Sequence, residues 1–284
     1  MKSKNSKILT KLIHFIDKSG IDPLGNSPAS LEIASFARRE SIETAFSQAS
    51  QTLIAATDYF EALDILIQKE KYAVAPWACA RGLIESSALC TWLFEMDITS
   101  KERVSRSLSL RYNSLREQQK MARYDNDNLL IAKIDERIDS IEKIAIDLGY
   151  EILRNKKNRR IGIGQIKPSI TDLVEKQFSN EILYRLLSGM AHSNYTTLTA
   201  LSFTKANSTK KSGAVIQRSV PTDIQLSLLS QAGKIYAKCL WLKTIQFGFD
   251  AAEMAILLEE FYDVLEIENS NQDRFWRTIK GRGF

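Results

Sequence analysis

The stretch from Ala75 to about Met96 limits the fold more than any other, because it has helical spacing and is apolar nearly all round. A helix without a polar face belongs in the middle of a bundle, with other helices around it. Pro76 falls in its first turn, where the N–H groups lack an intrahelical acceptor in any case. Its longest apolar run, Ser86 to Phe94, is bracketed by Glu85 and Glu95 and is well short of the roughly 20 residues that span a bilayer. The segment is therefore expected at the centre of a soluble protein.

The rest of the chain supplies the shell. Five prolines and twelve glycines leave long uninterrupted segments in 284 residues, and strand patterns are scarce, so the fold class is all-α: a multi-helix bundle with long antiparallel helices. Helical spacing predicts elements over Lys4 to Lys18, Arg38 to about Lys69, Asp223 to about Phe247 and Ala251 to Leu265. Ser100 to Tyr150 reads as two antiparallel helices broken near Asp125-Asn-Asp-Asn128. Arg154 to Arg160, followed by Gly162 and Gly164, reads as a loop, and Ser169 is a plausible cap for a helix from Ile170. After His192 the chain turns Thr-rich and β-prone. Thr196 to Lys205 and Ala214 to Val220 can close a small β-hairpin near 196–220, or flank a loop. The expected organisation is an N-terminal helix and loop over 1–30, a bundle over 31–268 and a basic tail over 269–284.

Composition excludes several classes. A hydrophobic content of 44% rules out a disordered chain, and a net charge of +5 is compatible with a polyanionic partner without demanding one. Cys79, Cys90 and Cys239 form no metal spacing and read as reduced packing residues of a cytoplasmic protein. No cleavable leader pattern follows the first twenty residues. P-loop, dinucleotide fingerprint, HExxH and nucleophile elbow are all missing, so no cofactor or metal is expected.

The segment Glu181-Ile-Leu-Tyr-Arg-Leu-Leu-Ser-Gly-Met-Ala-His192 carries the candidate chemistry. Seven helical steps return to within roughly 20° of the starting direction, which puts Arg185, Ser188, Gly189 and His192 on one polar or small stripe. Leu183, Leu186, Leu187 and Met190 fall nearly opposite. An imidazole exchanges a proton near neutral pH, and a guanidinium holds a phosphate with fixed geometry. The plain alternative is that His192 ends its helix and Arg185 pairs with a carboxylate. Gly189 permits close approach of a crossing helix or a second subunit. Arg81 and Glu85 share one face of the central helix with Trp77, Ala88 and Trp92, either as a buried structural pair or as support for the Arg185–His192 stripe. A basic surface is expected from Arg103, Arg106 and Arg111, from Arg154, Lys156, Lys157, Arg159 and Arg160, and from Arg274 to Arg277.

Arg185, six intervening residues and His192, late in an all-helical chain, resemble the Arg-x(4–6)-His motif of the HEPN superfamily. The larger pattern of Arg81-Gly-Leu-Ile-Glu85, Trp92-Leu-Phe, Arg103 and Arg106, then Tyr184 to His192, is also similar to a group of uncharacterised bacterial helical proteins. The resemblance implies metal-independent RNA cleavage that uses the RNA's own 2′-hydroxyl, with Arg185 and His192 active and Arg81, Glu85 and Ser188 in support. It further implies a homodimer, and a toxin or antiviral-defence role with an antitoxin or operon partner. Leu186 stands where active members commonly carry a polar residue. Two rivals remain open: a non-catalytic helical interaction module, and a small-ligand pocket lined by Trp77, Trp92 and Arg81.

Overall fold

The structure, a computed structural model, describes residues 2–20, 22–69, 71–205, 216–218 and 222–269. Among them eleven helices run in the order α1 (Lys2–Ser19), α2 (Pro28–Ser35), α3 (Arg39–Gln68), α4 (Ala75–Phe94), α5 (Ser100–Tyr124), α6 (Asn128–Asp147), α7 (Ile170–Phe178), α8 (Glu181–Ala191), α9 (Tyr195–Ser202), α10 (Thr222–Phe247) and α11 (Ala251–Asn269). Two antiparallel hairpins interrupt them, β1 (Ile152–Arg154) with β2 (Arg160–Ile163) and β3 (Phe203–Lys205) with β4 (Ile216–Arg218). The class is all-α with a small hairpin inside 196–220. No helix among the described residues is long and apolar enough to cross a membrane.

α4 occupies the centre, as its all-round apolarity requires, and α3, α5, α7, α8 and α10 pack against it. Leu83, Ile84, Ala88 and Leu93 have no exposed surface, and at about 25 cal/mol per Å² of apolar area such burial is the main favourable term in holding the bundle together. At one end Phe46 of α3, Phe94 of α4 and Phe247 of α10 meet with ring centroids 5.6 to 6.3 Å apart. α1 packs on α11 and α3 and buries Leu12 and Phe15 in the same core, so the N-terminal segment is part of the bundle. Of the expected tail over 269–284, Asn269 ends α11 and the rest, with Arg274 to Arg277, lies outside the described residues, as do residues 206–215 between β3 and β4.

Local signals set most of the boundaries. Thr99, Asp127 and Ser169 cap α5, α6 and α7, their side chains accepting from the N–H groups of Glu102, Leu130 and Asp172 at 2.9 to 3.1 Å. Three differences from the sequence expectations have comparable local causes. α2 forms where no helix was expected, because Ser27 accepts from the Ser30 N–H and Pro28 fits the first turn. Arg154 to Arg160 is not a simple loop but a hairpin end, closed by Asn155, whose side chain accepts from the N–H groups of Lys157 and Arg159, both at 3.0 Å. The β-prone residues from Tyr195 to Ser202 form α9, since the Asn194 side chain accepts from the Thr197 N–H at 3.2 Å and starts a helix against intrinsic preference.

Arg103 and Arg106 do not contribute to a basic surface. They are buried, and their work is structural. The last carbonyls of a helix have no intrahelical donor, and those at the end of α4 are met by side chains from neighbouring helices. Arg103 donates to the Leu93 and Glu95 carbonyls and forks onto Glu32 at 3.0 and 3.1 Å. Arg106 donates to the Trp92 carbonyl and pairs with Glu95 and Glu102, while Gln246 of α10 reaches the Phe94 carbonyl at 3.2 Å. Cations also suit this end of the helix dipole.

Removing one member of such a buried set strands the others. Arg103→Ala should lower stability by about 3 to 5 kcal/mol, whereas Arg154→Ala on the exposed hairpin should fall within about 0.5 kcal/mol of wild type, as read from urea unfolding. A second expectation concerns alkaline pH. Tyr150 donates to the Lys101 carbonyl at 2.6 Å, and burial pushes its phenol up to about 12. Burial likewise raises Tyr236, which shares a hydrogen bond with Thr57. Above the ordinary phenol value near 10, the unfolded chain binds fewer protons than the folded one. Urea midpoints should therefore fall as pH rises through that range, with the tyrosinate absorbance of Tyr150 and Tyr236 appearing together with unfolding.

Candidate functional site

α8 sorts its residues as the spacing predicts. Leu183, Leu186, Leu187 and Met190 are buried, Arg185 and His192 are exposed, and Ser188 and Gly189 are half-buried. The helix stops at His192, whose N–H bonds the Ser188 carbonyl at 3.0 Å; Ser193 then adopts φ +55° and the Asn194 N–H closes onto the Gly189 carbonyl at 2.8 Å. Gly189 serves an intramolecular crossing: a Cβ there would lie 2.7 Å from the Thr197 hydroxyl, so only glycine lets α9 fold back this tightly. The turn leaves the His192 ring at the open end of α8, beside the middle of α4.

Arg81 is the arginine that meets this ring. Its Nη1 lies 2.8 Å from His192 Nε2, and its Nε donates to Glu85 Oε1 at 2.7 Å. Tyr184 donates its hydroxyl to the same Glu85 oxygen at 2.9 Å, and the Arg81 guanidinium stands 6.0 Å from the Tyr184 ring centre. A guanidinium only donates, so Nε2 of His192 must accept and the ring proton belongs on Nδ1. Burial works to lower the Arg81 pKa, but Glu85 and Tyr184 outweigh it and the group stays firmly cationic. Burial, then the hydrogen bond to Glu85 and the charge of that carboxylate, raises the Tyr184 phenol, which therefore remains a donor.

This arrangement revises several expectations. The stripe of Trp77, Arg81, Glu85, Ala88 and Trp92 is not a uniformly buried face. Both tryptophans are 1 to 2% exposed, whereas Arg81 and Glu85 retain 22% and 32% of their side-chain surface. The stripe opens where α8 ends. Arg185 projects from the same flank but forks onto Glu181 of its own helix, with Nε to Oε1 at 2.6 Å, and makes no contact with His192. The Ser188 side chain makes no hydrogen bond to the group.

The basic residues divide further. Arg154, Lys156, Lys157 and Arg159 are exposed on the β1–β2 hairpin, while Arg160 pairs with Asp139 and Glu142 of α6. That hairpin packs on α5 and α6. Tyr184 is the member that sequence reasoning missed. The available signal was its place at the border of the polar and apolar stripes, where an aromatic body with a polar tip is well suited.

The model of a family of unknown function, DUF5677, matches residues 47–210, more than half of the chain. The chain belongs to this family. No curated protein and no solved structure matches it. The DUF5677 span contains Arg81, Glu85, Tyr184 and His192 together with α4 and α8, the two helices that carry them.

Glu85 is held by two donors, so losing one should cost little and losing the other more. Tyr184→Phe is expected to lower stability by about 1 kcal/mol, the usual worth of one hydrogen bond. Arg81→Met should exceed that in urea titration, since it leaves a half-buried carboxylate without its cation.

Proposed function

We propose that this protein binds RNA at the α4–α8 junction and cleaves it without a metal ion, using His192 and Arg81. The observation that carries the reading is the 2.8 Å contact between an exposed imidazole and a fixed guanidinium, with Glu85 and Tyr184 holding the guanidinium in place. Proton exchange and phosphate orientation are what phosphodiester transfer needs from side chains. Sequence likeness to the HEPN motif points the same way, with the difference that Arg81 takes the place beside the ring and Arg185 stands farther along the helix.

In the proposed step a phosphate of the RNA displaces the ring from Arg81 and takes its donors. The freed Nε2 of His192 accepts the proton of the 2′-hydroxyl. The 2′-oxygen bonds to phosphorus as the bond from phosphorus to the 5′-oxygen breaks. The products are a 2′,3′-cyclic phosphate and a 5′-hydroxyl, the leaving oxygen taking its proton from water or from the imidazolium. Arg185, exposed on the same flank, is available to a neighbouring phosphate once it releases Glu181.

The test is end-labelled single-stranded RNA and transfer RNA incubated in EDTA with wild type, His192→Ala and Arg81→Gln, with circular dichroism as the control for folding. Wild type should cut and leave cyclic phosphate ends. His192→Ala should lose about 10²-fold or more, the usual share of a positioned acid–base group. Undiminished cutting by that variant, cutting of a strand whose 2′-hydroxyls are all deoxy, or no cutting by wild type would contradict the proposal.

A further inference from the structure

A second site of different chemistry lies between α3, α5 and α6. A cleft of about 470 Å³ opens there, with Leu89 of α4 and Ile141 of α6 among its apolar walls. Its polar lining consists of amides, hydroxyls and two arginines, Arg111 and Arg137, and holds no carboxylate. The arginines at the α4–α8 junction and inside the bundle differ. Arg81, Arg103, Arg106 and Arg160 each meet an acidic side chain, including the two that are buried. Arg111 and Arg137 form no ion pair and no hydrogen bond among the described residues, although Arg111 is half-buried.

Two cations facing one cleft work against the fold. Burial, and then the charge of Arg137, weaken the proton affinity of Arg111, which is the electrostatic mark of a cation short of an anion. Desolvating a guanidinium without a partner costs free energy. A neighbouring acceptor is also unused: Gln48 Oε1 is buried at the same cleft without a hydrogen-bond partner. An occupant with an anionic end, an apolar body and a donor would satisfy all three features. Pockets of roughly 300 to 1,000 Å³ hold such small molecules.

We propose that this cleft binds a small organic phosphate, with its phosphate on Arg111 and Arg137, its apolar body against Leu89 and Ile141, and a hydroxyl or amino group on Gln48. A phosphate monoester, carrying about −1.5 to −2 at neutral pH, matches two guanidinium charges better than a single carboxylate does. The site shares no side chain with the α4–α8 junction, so it stands or falls independently of the cleavage proposal. All of its named residues fall within 47–210.

Titration calorimetry at constant chloride, with adenosine 5′-monophosphate, glucose 6-phosphate, inorganic phosphate and unphosphorylated adenosine, tests the proposal. At least one of the two organic phosphates should bind saturably, more tightly than inorganic phosphate, and which one does so separates a nucleotide from a sugar phosphate. That binding should weaken ten-fold or more in Arg111→Gln and in Arg137→Gln. In ligand-free protein, Arg111→Gln should leave the thermal midpoint equal or higher, because it removes an unpaired cation. No binding of either organic phosphate, adenosine binding as tightly as its phosphate, affinity unchanged in both variants, or a midpoint that falls in Arg111→Gln would each overturn the assignment.

Discussion

α4 carries only two charged residues in its twenty, and burying twelve of the other eighteen is what organises the molecule. Helices that surround it must present apolar faces inward, and the open carbonyls and the two charges of α4 draw their partners from them. At its C-terminal end Arg103, Arg106 and Gln246 take the carbonyls of Leu93, Trp92 and Phe94, which the helix leaves open. In its middle the enclosure is partial. Arg81 and Glu85 are joined by Tyr184 and by the last residue of a helix that stops beside them, and the opening left there is the candidate site.

The same physics separates the arginines by role. A guanidinium that meets carbonyls and carboxylates inside the bundle is a fastening, and a nucleic acid cannot reach it. One held by a single carboxylate at an opening, as Arg81 is, has donors to share with an incoming phosphate. One that is half-buried with no anion, as Arg111 is, marks a place where the fold alone is electrostatically incomplete. The acceptors around these residues tell the three apart.

That distinction explains what the sequence could reveal. Helices with unbroken periodicity and a side-chain cap, such as α5, α6 and α7, were legible because their signals lie within a few residues of one another. The polar and apolar stripes of α8 were legible for the same reason. Arg103 and Arg106 were not, because their partners are backbone carbonyls of another helix, which have no signature in the residue types. α9 and the β1–β2 hairpin were misjudged where one asparagine, Asn194 or Asn155, outweighed the preference of its neighbours. The pairing of Arg81 with His192 joins residues 111 apart, and periodicity within α4 or within α8 carries no information about how the two helices cross.

The central claim is that Arg81 holds the His192 ring by its Nε2 lone pair. Long-range proton–nitrogen NMR at mildly alkaline pH reads this directly, since the chain has only two histidines and His14→Gln leaves one. His192 should show a protonated Nδ1 and an accepting Nε2 in the wild-type background, and should shift toward the Nε2–H tautomer in Arg81→Gln. A ring already protonated at Nε2, or a tautomer indifferent to the loss of Arg81, would contradict the account.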